Sequence, residues 1–129
     1  SMIKKNMNEN NSGFMSHNGG LEIQKINENN YSFSSVVKEI HLNAGKIVHG
    51  GYLSTIADSA MGKAAHIVSN KRCVTITLEI KFISVALLNE TLTGKVIIKK
   101  KTRSLVFINC EIFNSGGIVI IASGIWKIL

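Results

Sequence analysis

The spacing of apolar positions changes period along this chain. From Leu53 onward, residues 53, 56, 57, 60, 61, 64, 65 and 68 are apolar or small, the spacing of one helical face. A helix over Leu53–Val68 would be about 24 Å long at ~1.5 Å per residue. Four of its face positions (57, 60, 64 and 65) are alanine, so another element can approach its axis closely. No other stretch carries so long a helical period. After it the period is two. In Cys73–Ile83, Val74, Ile76, Leu78, Ile80 and Phe82 alternate with Thr75, Thr77, Glu79 and Lys81, which predicts a strand with its apolar side on a core. Thr91–Lys100, Leu105–Phe113 and Ile118–Ile128 read as further strands, joined by the basic turn at Lys101–Ser104 and the turn at Asn114–Gly117.

Ahead of the helix, Phe14-Met15 predicts a short helical turn and Leu21–Ile26 a strand. Asn27–Asn30 turns the chain, and Tyr31–Leu42 reads as a second strand leading to Asn43. The architecture expected is α+β, one long helix against an antiparallel sheet of five or six strands. It forms a single domain over 14–129. Residues 1–13 are polar and Asn-rich and are expected to be a disordered tail, with Ser1 before Met2 read as a remnant of expression cleavage. One helix leaves much of such a sheet uncovered, notably around Ile118–Ile121. At least a dimer through strand pairing is therefore expected.

Composition narrows the classes. An apolar content of 45% over 129 residues supports one domain with a real core and excludes a disordered chain. No apolar run approaches the roughly 20 residues of a membrane span, and no signal-peptide core is present. The expected location is the cytoplasm. Cys73 and Cys110 sit in strand patterns without ligand spacing and read as buried free thiols. The formal charge of +7 favours polyanions, but Lys, Asn and Ile are abundant throughout. Aromatic residues are not interleaved with the basic ones, which argues against nucleic acid as a partner. No metal-ligand spacing, phosphate loop or nucleophile elbow is found, so no metal and no cofactor is expected.

Candidate chemistry gathers where the helix begins. Asn43, His49, Gly50 and Gly51 precede Asp58, which lies at the border of the apolar stripe. Each has an ordinary reading: Asn43 as a turn former, His49 as a backbone partner, the glycines as a tight turn. The joint spacing is hard to produce by turn chemistry alone. His66, on the far face of the helix, reads as a surface residue. His17 and His41 show no partner, and Met61 and Trp126 read as core.

The pattern Asn43-x5-His49-Gly50-Gly51-x6-Asp58, with the strand Thr75–Phe82, resembles the hotdog-fold acyl-CoA thioesterases of the PaaI-like branch. The resemblance runs from about Phe14 to the C-terminus. It implies a long helix wrapped by an antiparallel sheet, a homodimer with two interfacial sites, and often a dimer of dimers. It implies an acyl-CoA substrate whose carbonyl is polarised by the Gly50 N–H at the positive end of the helix. Asn43 would position thioester or water, and His49 would brace Asn43. Asp58, from the other protomer, would be general base or nucleophile, and Thr75 would orient the water. Gly51, Lys101 and Arg103 would bind substrate, the basic group with Lys99 and Lys100 meeting coenzyme A. Alternation puts Thr75 on the polar side of its strand, so it serves the site only if that side meets the partner's helix.

Three positions depart from the family pattern: Lys46 and Asn89 stand where relatives often carry glycine, and Val85 where they carry proline. Those changes touch loops and leave the acyl group undetermined. Two other readings share the motif. One is a hotdog enoyl-CoA hydratase or dehydratase using His49 with Asp58; the other is a non-catalytic binder of acyl-CoA or fatty acid.

Overall fold

A computed structural model describes residues 13–129; the expected tail otherwise lies outside the described residues. In chain order it contains α1 (Gly13–His17), β1 (Ile23–Asn27), β2 (Asn30–Val36), a 3-10 turn (Glu39–His41), α2 (Gly50–Ser69), β3 (Cys73–Phe82), β4 (Thr91–Lys101), β5 (Leu105–Asn114) and β6 (Gly117–Ile128). The six strands form one sheet in the order β1-β2-β4-β5-β6-β3, every neighbouring pair antiparallel. Helix α2 lies across β3, β4, β5 and β6. This is the hotdog fold.

Helix α2 packs by the face its sequence announces. Leu53, Ile56, Ala57, Ala60, Met61, Ala64 and Ala65 are buried, against a sheet face that includes Val96, Val106, Ile108, Ile112, Ile120 and Trp126. Alanine at four of the contact positions lets the sheet curl close around the helix. The helix begins three residues earlier than its apolar period. The Nδ1 of His49, the N-cap residue, accepts the Gly51 N–H at 2.8 Å, so both glycines serve as first helical turn. Asn70, in the left-handed region at φ 55°, ends it.

Three expectations fail for identifiable reasons. The second strand stops at Val36 rather than Leu42, because its partner β4 begins at Thr91, directly opposite Val36. Beyond it only Val37 still pairs, its N–H with the Glu90 carbonyl and its carbonyl with the Asn89 N–H, and the chain then coils into the 3-10 turn. His41, expected to lack a partner, is 3% exposed. Its Nδ1 accepts the Lys38 N–H at 3.0 Å, its Nε2 donates to the Asn18 carbonyl at 2.9 Å, and its ring stacks on Tyr52 at 3.7 Å.

The third concerns β3. Its ladder with β6 slips between Thr75 and Thr77, leaving Ile76 as the extra residue of a β-bulge. A Cβ on Gly124, opposite Leu78, would lie 2.6 Å from the Thr77 carbonyl oxygen and 2.6 Å from Trp126 Cζ3. Glycine there makes room for the displaced backbone. The slip reverses the side-chain phase: Thr75 lies opposite buried Trp126 and so faces the helix. The apolar side of β3 is not wholly on the core. Val74 and Ile76 are 46% and 51% exposed, on the sheet's outermost strand. The unburied surface expected at Ile118–Ile121 is found in part, since Ile121 is exposed while Val119 and Ile120 are buried; the longer exposed strip runs along β3 and the loop after it, through Phe82, Ile83, Val85 and Leu87.

Candidate active site

The bulge decides the geometry. With Thr75 turned toward α2, its Oγ1 donates to Asp58 Oδ1 at 2.9 Å within the same chain. The sequence placed Thr75 on the polar side of its strand, and that placement is corrected here. Asp58 is half-buried and stands two turns along α2. Two cavities meet at this pair. One, of about 520 Å³, continues past Ser59 and Lys63 to His66, Arg72 and Trp126. The other, of about 500 Å³, passes Ser54 and Thr55 to Met15 and Leu78. Asp58 and Thr75 line both.

At its N-terminal end, α2 offers a second feature. His49 holds the Gly51 N–H, whereas the Gly50 N–H meets no acceptor among the described residues. The Phe82 ring lies beside Gly50, its Cε1 3.2 Å from where a Gly50 Cβ would stand. Asn43 shapes the preceding loop. Its Oδ1 accepts the N–H of Gly45 at 2.9 Å and of Ile47 at 3.3 Å, and the Leu42–Val48 bridge closes the hairpin. The Asn43 side-chain amide has no acceptor among the described residues. No bond joins His49 to Asn43 among them; the imidazole serves the helix end.

The expected site residues thus form two groups in one chain, Asp58 with Thr75 and Asn43 with His49, Gly50 and Gly51. Asp58 and Gly50 are separated by about 12 Å of helix at ~1.5 Å per residue. Lys101 and Arg103 stand apart from both. Lys101 is the exposed last residue of β4 and Arg103 lies in the β4–β5 turn, organised by Thr102 Oγ1, which accepts the Leu105 N–H at 3.0 Å, and they line neither cavity. The basic residues that do are Lys63, His66 and Arg72. His66 was expected on the far surface; it lines the cavity instead. Gly62, unusual inside a helix, was the available signal, since the indole of Trp126 packs against it.

A larger cavity, about 660 Å³, opens on the other side of the fold beside Ser35, Lys38, His41 and Tyr52. Its histidine is committed to two backbone groups. Burial raises the Tyr52 phenol, partly offset by its 2.8 Å bond to Ser35. The phenol therefore stays protonated near neutral pH. Among the described residues, no group of three or more His, Cys, Asp or Glu could hold a metal ion. No helix among them is long and apolar enough to cross a membrane.

Known structures share the fold. The chain resembles a hypothetical thioesterase protein of Streptococcus pneumoniae TIGR4, solved with coenzyme A (24% identity, 84% of this chain and 85% of that one, TM-score 0.79). Further structures of the pneumococcal protein carry an aspartate-to-alanine or a threonine-to-alanine substitution. The E. coli PaaI protein of the phenylacetic acid degradation operon is similar at 22% identity, 84% and 79% coverage and TM-score 0.78. So is a Streptococcus mutans UA159 protein bound to acetyl CoA, at 19%, 84%, 88% and 0.78. No curated protein sequence matches. The model of the thioesterase superfamily matches residues 45–121, more than half of the chain, and the chain belongs to that superfamily of thioester hydrolases.

Proposed function

We propose that this protein hydrolyses acyl-CoA thioesters, without a cofactor, at a site built by two copies of the chain. The observation that carries the reading is the Thr75–Asp58 hydrogen bond at the meeting of two cavities. It holds a carboxylate in a defined orientation where a substrate can reach it. A single chain is insufficient: with Asp58 and the unpaired Gly50 N–H about 12 Å apart along one helix, one carbonyl cannot touch both. A second copy with its α2 antiparallel brings its Gly50 to the first copy's Asp58. The open edge of β3, with exposed Val74 and Ile76, supplies a surface for that pairing.

In this arrangement Thr75 occupies Oδ1 of Asp58, which leaves Oδ2 to take a proton from water as the water attacks the thioester carbon. The carbonyl oxygen becomes an oxyanion facing the second copy's Gly50 N–H and the positive end of its helix. Collapse of the intermediate breaks the C–S bond, and the thiolate takes up the proton to give free acid and coenzyme A. Attack by Asp58 itself, through an anhydride, ends in the same products. Asn43, with its side-chain amide open, positions the thioester oxygen or the water. His49 sets the direction of the Gly50 N–H by capping the same turn. The capping bond also commits Nδ1 of His49, which counts against a hydratase that uses His49 with Asp58.

The coenzyme A and acetyl CoA held by the streptococcal relatives support the substrate class, and the pneumococcal substitutions fall on an aspartate and a threonine, the two residue types bonded here. The test is free-thiol release from a panel of acyl-CoA esters. Asp58→Asn is expected to lower kcat by at least ~100-fold while the oligomer persists. Undiminished turnover by that variant would overturn the reading, and ligand binding without turnover by the unaltered protein would make it a binder.

A further inference from the structure

The two cavities that share Asp58 differ in character. Beyond the acid, the first is lined by Lys63, His66, Arg72 and Trp126, and Asp58 is its one acidic residue. Trp126 is 1% exposed, yet its indole N–H meets no acceptor among the described residues. Its Nε1 stands 3.4 Å from where a Gly62 Cβ would be, so the bare glycine leaves this donor open to the cavity that both line. Buried donors are normally paired. One left open beside two cationic side chains and a histidine fits an anionic acceptor of planar form, which guanidinium and N–H donors bind together. His66 already donates its Nδ1–H to the Lys71 carbonyl at 2.7 Å, which fixes its ring in the wall.

We propose that this cavity is the acyl subsite and that it receives an acyl group ending in a carboxylate, the mono-thioester of a dicarboxylic acid. The proposal rests on the thioesterase reading above. Gly62, against which the indole lies, is one helical turn beyond Asp58, about 6 Å at ~1.5 Å per residue. The far carboxylate of a short diacid therefore reaches Trp126 and Arg72 while its thioester carbon stays at Asp58. The phosphates of coenzyme A lie at the far end of the pantetheine arm, away from a cavity that begins at the reacting carbon.

The experiment compares kcat/KM for succinyl, glutaryl and adipyl thioesters with their butyryl, pentanoyl and hexanoyl counterparts, each on coenzyme A and on N-acetylcysteamine, which carries no phosphate. The acid-bearing groups should be favoured about 10- to 100-fold on both carriers, and Arg72→Met should collapse that ratio toward one. Equal or inverted preference overturns the proposal and leaves the thioesterase reading standing. So does a loss in Arg72→Met that is the same for both acyl classes and confined to coenzyme A, which assigns the cations to phosphate. Trp126 is the only tryptophan of the chain, so its fluorescence gives a readout independent of turnover. Glutarate should shift it, pentanoate should not, and Arg72→Met should abolish the response. If no ester is hydrolysed but glutarate is still sensed, the thioesterase reading falls and the anion site stands; if glutarate gives no response, the anion site falls too.

Discussion

Lys46 and Asn89 lie at φ 67° and 69°, the left-handed region that favours glycine. Both stand where the thioesterase pattern carries glycine, so the family's preference has a backbone cause that this chain meets with side chains instead. Asparagine tolerates the region; lysine does so at a cost. Lys46→Gly is therefore expected to stabilise the fold by roughly 1 kcal/mol, read as a raised urea midpoint with unchanged slope. A lowered midpoint would show that the lysine side chain contributes something the loop needs. Thiol chemistry also separates by residue. Burial, with the Glu111 charge adding to it, pushes the Cys110 thiol up to about 12, which keeps it protonated and inert near neutral pH. Cys73 is only half-buried at the cavity wall, where full burial had been expected.

At the scale of elements, α2 joins the two halves of the proposed chemistry, and the one side-chain bond that caps its first turn runs from the Gly51 N–H to His49 Nδ1. His49→Ala should cost about 1 kcal/mol of stability and should also slow turnover, because the Gly50 N–H loses its fixed direction. Lost stability with full activity would confine His49 to capping. The helix was legible in the sequence because its apolar period is long and uninterrupted. Strands β4, β5 and β6 were legible through alternation and their turns. The phase of β3 was not, because five alternating apolar residues suggest a continuous ladder and nothing between Thr75 and Thr77 signals a break. The signal lay on the neighbouring strand, where Gly124 interrupts β6. For the same reason the sequence named Asp58 and Thr75 yet put them on opposite sides. Trp126 was read as core, which its burial bears out; that it also lines the cavity with Arg72 was not legible, because their meeting depends on that register.

At the scale of the whole molecule, the single chain presents an unpartnered edge and an exposed apolar strip along β3, beside two cavities that stop at a half-buried acid. Pairing of β3 with a second copy would cover the first two and complete the third. Ile76, the bulged residue, is 51% exposed on that edge. Ile76→Lys should leave the monomer folded, shift sedimentation toward the single-chain mass, and abolish turnover with it. Full activity in a monomeric variant would place the whole site within one chain. The most direct measurement mixes two inactive variants, Asp58→Asn and Asn43→Ala, by co-expression. If Asp58 works with the glycine end of the other copy, each mixed dimer carries one intact site, and about a quarter of full activity returns for random pairing. If Asp58 works with its own chain's Asn43 and Gly50, every site in the mixture carries a defect and no activity returns, which would contradict the account.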